Sequence, residues 1–310
     1  MAALLMIAGV TLDRLLGEPR RWHPLVGFGT CAQRMEFLLH PGENAGAVHT
    51  RWRGSLAVLL AVVPATALAA WTIESVPRVG VVLQVVLLYL TLGHRSLHQH
   101  ALPVAAALGR EDLPAARRLV GLIVSRDTAA MRPVDVARAA VESVLENGND
   151  AVFGTLFWFA LAGAPGALLY RLINTLDAMW GYRTPRYRFF GSVAARCDDV
   201  MNLIPARLTA LTYALLGHFG DALRCWREQG KRWESPNAGP VMAAGAGSLH
   251  LRLGGPAFYH GHWKSRPPLG QGAEPQAQDI ARALRLVARG VIIWIAAAIA
   301  CSLSREALGP

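Results

Sequence analysis

Ser55-Leu-Ala-Val-Leu-Leu-Ala-Val-Val-Pro-Ala-Thr-Ala-Leu-Ala-Ala-Trp-Thr-Ile73 decides the fold. This stretch carries no charge, and a helix of about 20 mainly apolar residues crosses the hydrocarbon of a bilayer. A second apolar stretch, Gly80 to Leu92, follows, with Gln84 its only strongly polar residue. The link between them, Glu74 to Val79, carries one arginine. So short a link makes the two stretches the arms of a helical hairpin. Upstream stand Arg14, Arg20, Arg21, Arg34, Arg51 and Arg53. By the positive-inside rule that flank is cytoplasmic, and so is the chain after Leu92.

The composition agrees. Of the 310 residues, 53% are hydrophobic and 17% charged, with a mean hydropathy of +0.30. A soluble domain carries about 25% charge. The net charge is +10, and Lys231 and Lys264 are the only lysines, so arginine supplies the excess. No recognisable nucleic-acid module is present, which speaks against nucleic acid as a partner. Cys31, Cys197, Cys225 and Cys301 lie far apart, in neither a zinc nor a disulfide pattern. Met1 to Thr11 is apolar but has no basic region before it and no small-residue cleavage site after it. A short membrane-inserted start is expected there rather than a cleaved signal peptide.

Beyond the hairpin the text changes. Residues 93–150 mix polar and apolar positions with helical period, as in Leu113, Ala116, Leu119, Val120 and Ile123. Two or three amphipathic helices are expected there. Ala151 to Leu172 is apolar but interrupted by Gly163-Ala-Pro-Gly166. Glycine and proline together break a helix, and irregular backbone at membrane depth needs protein or a cavity around it. Leu203 to Leu216 is apolar with Arg207 inside, and Val287 to Leu303 is a final apolar span with Arg289 at its start. Residues 218–286 read as polar, Gly/Pro-rich loops around one apolar patch, Val241 to Leu253. The expected architecture is all-α: a single multi-pass membrane domain with a broken or re-entrant segment. Its parts are residues 1–92, 93–217 and 218–310.

The densest polar text lies between Ser125 and Arg207. Glu142 and Glu146 are four apart, so a helix puts both on one face, with Arg138 before them and Asp150 after. Read structurally, this is an Arg138–Glu142 ion-pair row with Asn149 or Asp150 capping the next helix. Read functionally, acids beside an apolar segment are costly and mark a site. Arg171, Asn174 and Asp177 share a face, and so do Asp198, Asp199 and Asn202. Two acids and an amide offer the hard oxygens that Mg²⁺ takes. The competing account is acids in the first turn of a helix, favoured by its dipole. Arg126, Arg183, Arg186, Arg188, Arg196 and Arg207 could clamp phosphate bidentately or serve as positive-inside loop charge. There is no Walker loop and no dinucleotide fingerprint. His94 and His98 form an i, i+4 pair without a third ligand at a telling spacing, and Ser235-Pro-Asn-Ala-Gly239 reads as a turn.

The order of these phrases carries a resemblance. Asp13-Arg-Leu-Leu-Gly-Glu-Pro19 with His23-Pro24 opens the series. Ser125-Arg-Asp-Thr128, Val141-Glu-Ser143, Glu146-Asn147, Asp150 and Leu156-Phe-Trp158 follow. Then come Gly163-Ala-Pro-Gly166, Tyr170-Arg171, Asn174-Thr-Leu-Asp-Ala-Met179 and Gly181-Tyr-Arg183. Asp198-Asp199, Asn202, Ile204-Pro-Ala-Arg-Leu208, Ser235-Pro-Asn-Ala-Gly239, Met242-Ala-Ala244 and Leu253-Gly-Gly255 close it. From about residue 10 to residue 262 the chain resembles the CobD/CbiB-type adenosylcobinamide-phosphate synthases. It departs at Cys197, where an apolar residue is usual, and at Gly148, where an acidic or polar one is.

The resemblance implies a carbon–nitrogen ligase of cobalamin biosynthesis in the cell inner membrane, its active site facing the cytoplasm. It would join adenosylcobyric acid to (R)-1-amino-2-propanol or its O-phosphate, consuming ATP with Mg²⁺. Partners would be this corrinoid, the amino alcohol, the bilayer and other late membrane enzymes of the pathway. The catalytic core would lie in residues 93–217. Glu142, Glu146, Asp198 and Asp199 are the metal-ligand candidates, and Asp177 joins them as a catalytic one. Substrate and phosphate contacts are expected from Ser125, Arg126, Asp127, Thr128, Asn147, Asp150, Asn174, Thr175, Arg183, Arg186, Asn202, Arg207 and Asn237. A transporter using the broken helix and a non-catalytic membrane scaffold for corrinoid-pathway enzymes are the alternatives.

Overall fold

The computed structural model describes residues 1–19, 23–42, 45–259 and 261–307, with side chains described as far as Ser304. Arg20 and Arg21 of the basic flank lie outside the described residues. The first helices are α1 (Ala2–Leu16), α2 (Pro24–Leu39), α3 (Ala47–Ser75) and α4 (Pro77–Thr91). Pro77 begins α4 at the position where a missing N–H costs nothing. Then come α5 (His94–Gly109), α6 (Leu113–Val120), α7 (Pro133–Asn147) and a π-helical turn, Gly148–Phe153. Next are α8 (Gly154–Trp180), α9 (Tyr187–Phe190), α10 (Ser192–Met201), α11 (Leu203–Leu216), α12 (Phe219–Gln229) and α13 (Ala238–Leu249). Four short strands, β1 (Arg252–Gly254), β2 (Ala257–Tyr259), β3 (His262–Lys264) and β4 (Pro268–Gly270), precede α14 (Ala277–Ala307).

The protein is thus an all-α multi-pass membrane protein. Four helical stretches are long and apolar enough to cross a membrane: Ala47–Ser75, Pro77–Gly109, Pro133–Trp180 and Ala277–Ser304. The expected hairpin is α3 and α4. The stretch from residue 93 to 150 holds three helices. The break in α8 falls where Gly and Pro place it: Ala162 leaves helical geometry, and Gly163 adopts φ 64°, ψ −161°. That region of backbone space is essentially restricted to glycine. The expectation of loops over 218–286 is corrected. Asp221 in the first turn and the apolar run of α13 allow two helices, and the Gly/Pro text after them folds into two antiparallel pairs, β1 with β4 and β2 with β3. α14 begins ten residues earlier than the apolar span expected from Val287, because its first turns are amphipathic.

The chain forms two compact units. One comprises Met1–Gly93, Gly154–Asn202 and the chain from Ala297; the other comprises His94–Phe153 and Leu203–Ala296. Residues 93–217 contribute to both units.

In the first unit α3 shows a membrane pattern. Ala57, Val58, Ala61 and Val62 are buried against Leu172, Ile173, Leu176 and Trp180 of α8, with Phe190 and Ala194. Leu56, Leu59, Leu60, Val63 and Trp71 stay exposed. Small residues face the neighbouring helix and large ones face outward. Lipid tails are as apolar as leucine, so close approach of backbones rather than leucine burial drives association. In the second unit every residue of α13 is buried, against α11 and α12 among others. A helix apolar all round belongs in such an interior.

Candidate functional site

The polar residues gather into two constellations, one in each unit. In the second unit, Glu142 lies on α7 with its side chain buried at 2% exposure. Arg126 donates to its Oε2 at 2.6 Å, and Arg266 donates to the same oxygen at 3.0 Å. The backbone N–H of Gly254 donates to Oε1 at 2.8 Å. Burial alone would lower the Arg126 pKa, but the Glu142 charge and hydrogen bond outweigh it and raise it. Arg126 is therefore always charged. Arg266 is fixed further by donating from Nε to the Gly255 carbonyl at 3.0 Å and by stacking over Trp233. The loop carrying Arg126 docks on the β2–β3 hairpin: Asp127 N–H donates to Phe258 O, and Gly261 N–H donates to the Asp127 carboxylate.

Beside this cluster opens a cavity of about 580 Å³. Arg126, Arg132, Arg138 and Arg266 face it, with Phe258 and Trp263 as aromatic walls and Asp127 and Asp135 as its acids. Each of these arginines has an acid partner, Glu142 for Arg126 and Arg266 and Asp135 for Arg132 and Arg138, so the lining is rich in guanidinium groups already held in place. Guanidinium forks suit carboxylate and phosphate groups, and the aromatic walls suit a flat, largely apolar ligand.

One expectation for α7 is corrected. Arg138 pairs with Asp135 at 2.9 Å and with Glu274 at 3.4 Å, not with Glu142. The Glu142 oxygens accept from two arginines and a backbone amide, so this acid organises those arginines. Glu146 follows one turn later, and its charge acts on Arg126. Asn149 and Asp150, expected at the start of the next helix, sit inside the π turn, a feature frequent at functional sites. The turn closes against α11. A Cβ on Gly148 would collide with the Tyr213 hydroxyl, which donates to Leu145 O at 3.0 Å. That contact leaves no room for a side chain at Gly148. Asn149 donates to Asp150 and accepts from Thr209, while Asn147 donates back to Ser143.

Arg207 and Asn237, far apart in sequence, come together: Arg207 donates to the Asn237 side-chain oxygen, and Asn237 is buried. Ser125 is exposed, and Thr128 closes a turn to Met131. His98 lies against the His94 carbonyl, so that pair remains a local contact. His218, Asp221 and His250 also meet, but Asp221 already bonds Arg224, Gln271 and His250, which ties α12 to neighbouring elements.

In the first unit the centre is Asp198 on α10. Asn174 donates to its Oδ1 and Asn202 to its Oδ2, each at 3.1 Å. Tyr170 orients Asn202 from 2.9 Å, and Arg171 orients Asn174 from 3.0 Å. Thr175 bonds back to the Arg171 carbonyl. Burial pushes the Asp198 carboxyl above the usual carboxylate range; the two amides pull it down, and the neighbouring Asp199 charge raises it further. Burial also raises Asp199, against the charges of Arg196 and Arg183. Asn202 turns its N–H₂ toward Asp198, so it positions that acid rather than adding a third oxygen. Asp177 lies under Gly181 at the end of α8. Arg186 is engaged by Glu36 at 2.7 Å and is thereby tied to α2.

Arg266, Trp263 and Trp233 escaped sequence reading. They lie in Gly/Pro-rich text with no periodicity, and only the hairpins bring Arg266 to Glu142.

A helical multi-pass membrane protein with arginine-lined and carboxylate-centred polar sites is the class that this fold and these constellations define. Residues 6–287 match the family model described as CobD/Cbib protein. The chain belongs to the CobD/Cbib family. It is 55% identical over 304 residues to the cobalamin biosynthesis protein CobD of Chromobacterium violaceum, covering 97% of each chain. It is 58% identical over 294 residues to that of Stutzerimonas stutzeri, covering 94% of this chain and 95% of the relative. With that of Mycobacterium tuberculosis it shares 39% over 288 residues, or 91% of this chain and 90% of the relative. No solved structure matches.

Proposed function

We propose that this protein works in cobalamin biosynthesis as an ATP-dependent carbon–nitrogen ligase. It would join adenosylcobyric acid to (R)-1-amino-2-propanol O-phosphate, or to aminopropanol, and release adenosylcobinamide phosphate or adenosylcobinamide. The observation that carries this reading is the cavity beside Glu142. Its four arginines, fixed by Glu142 and Asp135, present guanidinium forks for carboxylate or phosphate, and its aromatic walls offer contact for a large ring. The full-length likeness to proteins named for cobalamin biosynthesis supports the pathway.

A carboxylate does not acylate an amine unaided. Transfer of the ATP γ-phosphoryl to the corrinoid carboxylate makes an acyl phosphate and leaves ADP. The amine then attacks the carbonyl carbon, the C–N bond forms, and phosphate departs. Arg126 and Arg266, held by Glu142, would bind the anionic end of one substrate. Arg207, set by Asn237, would bind phosphate. Asp177 or Glu146 would take the proton from the attacking ammonium. Asp198 and Asp199 fit Mg²⁺, which takes one or two carboxylates and fills its shell with water and phosphate oxygens. Held there, Mg²⁺ would neutralise phosphate charge. Asn174 and Asn202 would keep the Asp198 carboxylate oriented. The family resemblance and the arginine-rich flank support an inner-membrane location with the site on the cytoplasmic side.

The test uses detergent-purified protein with adenosylcobyric acid, Mg²⁺ and aminopropanol phosphate. The corrinoid mass is followed with and without ATP. An ATP-dependent gain matching amide formation is expected. An unchanged corrinoid mass in both arms would overturn the ligase reading.

A further inference from the structure

A second cavity, of about 740 Å³, lies wholly within the first unit. Val193, Arg196, Cys197 and Val200 line it from one face of α10, as their i, i+3, i+4, i+7 spacing requires. Leu169 and Ile173, one turn apart on α8, form the opposite apolar wall, and Arg51 of α3 closes one side. The groove is therefore apolar along its length, with two guanidinium groups on its lining.

Its level relative to the bilayer follows from α3. The uncharged run of that helix begins at Ser55, one turn after Arg51. Trp52, beside Arg51, is 73% exposed, and tryptophan gathers at the membrane–water boundary. Arg51 and Arg188 stand over the Phe189 ring at 5.3 and 5.2 Å, so arginines and aromatics share this level. Arg196 also acts on the charge of Asp199, three residues along α10. Val200 at the groove is exposed, as are the outward leucines of α3.

We infer that this groove binds an anionic phospholipid, its phosphate on Arg51 and Arg196 and one acyl chain along Leu169, Ile173, Val193 and Val200. The charge complements a lipid phosphate, and the depth matches the headgroup layer. Basic pockets between spanning helices favour such lipids. A soluble phosphate ester would use the arginines but leave the apolar wall unmatched.

Native mass spectrometry of the full-length protein tests this, with phosphatidylglycerol and phosphatidylcholine of the same acyl chains added in equal amounts. Wild type is expected to retain phosphatidylglycerol preferentially. Arg51→Gln and Arg196→Gln are each expected to reduce its retention about fivefold. Arg53→Gln, whose guanidinium donates to Leu39 O, is expected to leave retention unchanged. Equal retention of the two lipids by wild type would overturn the inference. So would displacement of the lipid by inorganic pyrophosphate with the same Arg51 dependence, which would assign the arginines to a soluble phosphate. Phosphatidylglycerol with a photoreactive acyl chain, used on wild type alone, covers the case of an unstable variant. Labelling of peptides containing Leu169–Ile173 or Val193–Val200 supports the site, and labelling confined to other helices overturns it.

Discussion

Arg126 donates to Glu142 at 2.6 Å in an environment where neither side chain is more than 10% exposed. A third group, Arg266, completes the cluster from 124 residues away. Removing one member of a buried ionic cluster leaves the others uncompensated, at about 3–5 kcal/mol. Glu142→Ala is therefore expected to destabilise the protein by about that amount, read as a lowered midpoint of thermal denaturation in detergent. Combining it with Arg266→Met should restore part of the loss. If the single variant melts like wild type, Glu142 does not organise these arginines.

The Asp198 and Asp199 carboxyls are both pushed up by burial. The proposed Mg²⁺ would require them ionised, so its affinity should rise with pH through the region above the ordinary carboxylate range. Stability of the metal-free protein should move the opposite way. A native carboxyl pKa above the unfolded value means that the folded state holds more protons in that window, and stability falls as pH rises through it. Calorimetric Mg²⁺ titrations at several pH values, repeated with Asp199→Asn, check the first trend. A pH-independent affinity would refute it.

His23 caps α2 by accepting the Leu25 N–H on Nδ1, which requires a neutral ring. Burial lowers its pKa, Glu18 opposes this, and Arg171 adds to it. A lowered histidine pKa contributes stability that is complete above the unfolded value of about 6.5 and is lost as pH falls below it. His23→Asn, a residue that caps without titrating in this range, should flatten that part of the stability profile. Hydrogen exchange at the first turn of α2 reports it directly.

Gly163 holds φ 64°, ψ −161° at the break in α8. Any side chain there costs about 1–3 kcal/mol. Gly163→Ala should lower the melting midpoint accordingly, while Ala164→Gly should not reproduce the effect through strain. An unchanged midpoint for Gly163→Ala would mean that the helix continues through this position.

The membrane architecture is legible in the sequence because its causes are local. An uncharged run such as Ser55 to Ile73 must be helical in hydrocarbon, and Gly163 and Pro165 interrupt a helix wherever they fall together. The grouping of Asn174 and Asp177 on one face, and of Asp198 with Asn202 on another, follows from helical period alone. Which of these groups meet does not follow. That Asn174 reaches Asp198 depends on how α8 packs against α10. That Glu142 chooses Arg126 and Arg266 over Arg138, one turn away, depends on where the loop from Ser125 and the strands after Arg252 deliver their charges. A buried carboxylate takes the partners that compensate its lost hydration best, and those partners are set by the path of the whole chain, not by sequence distance.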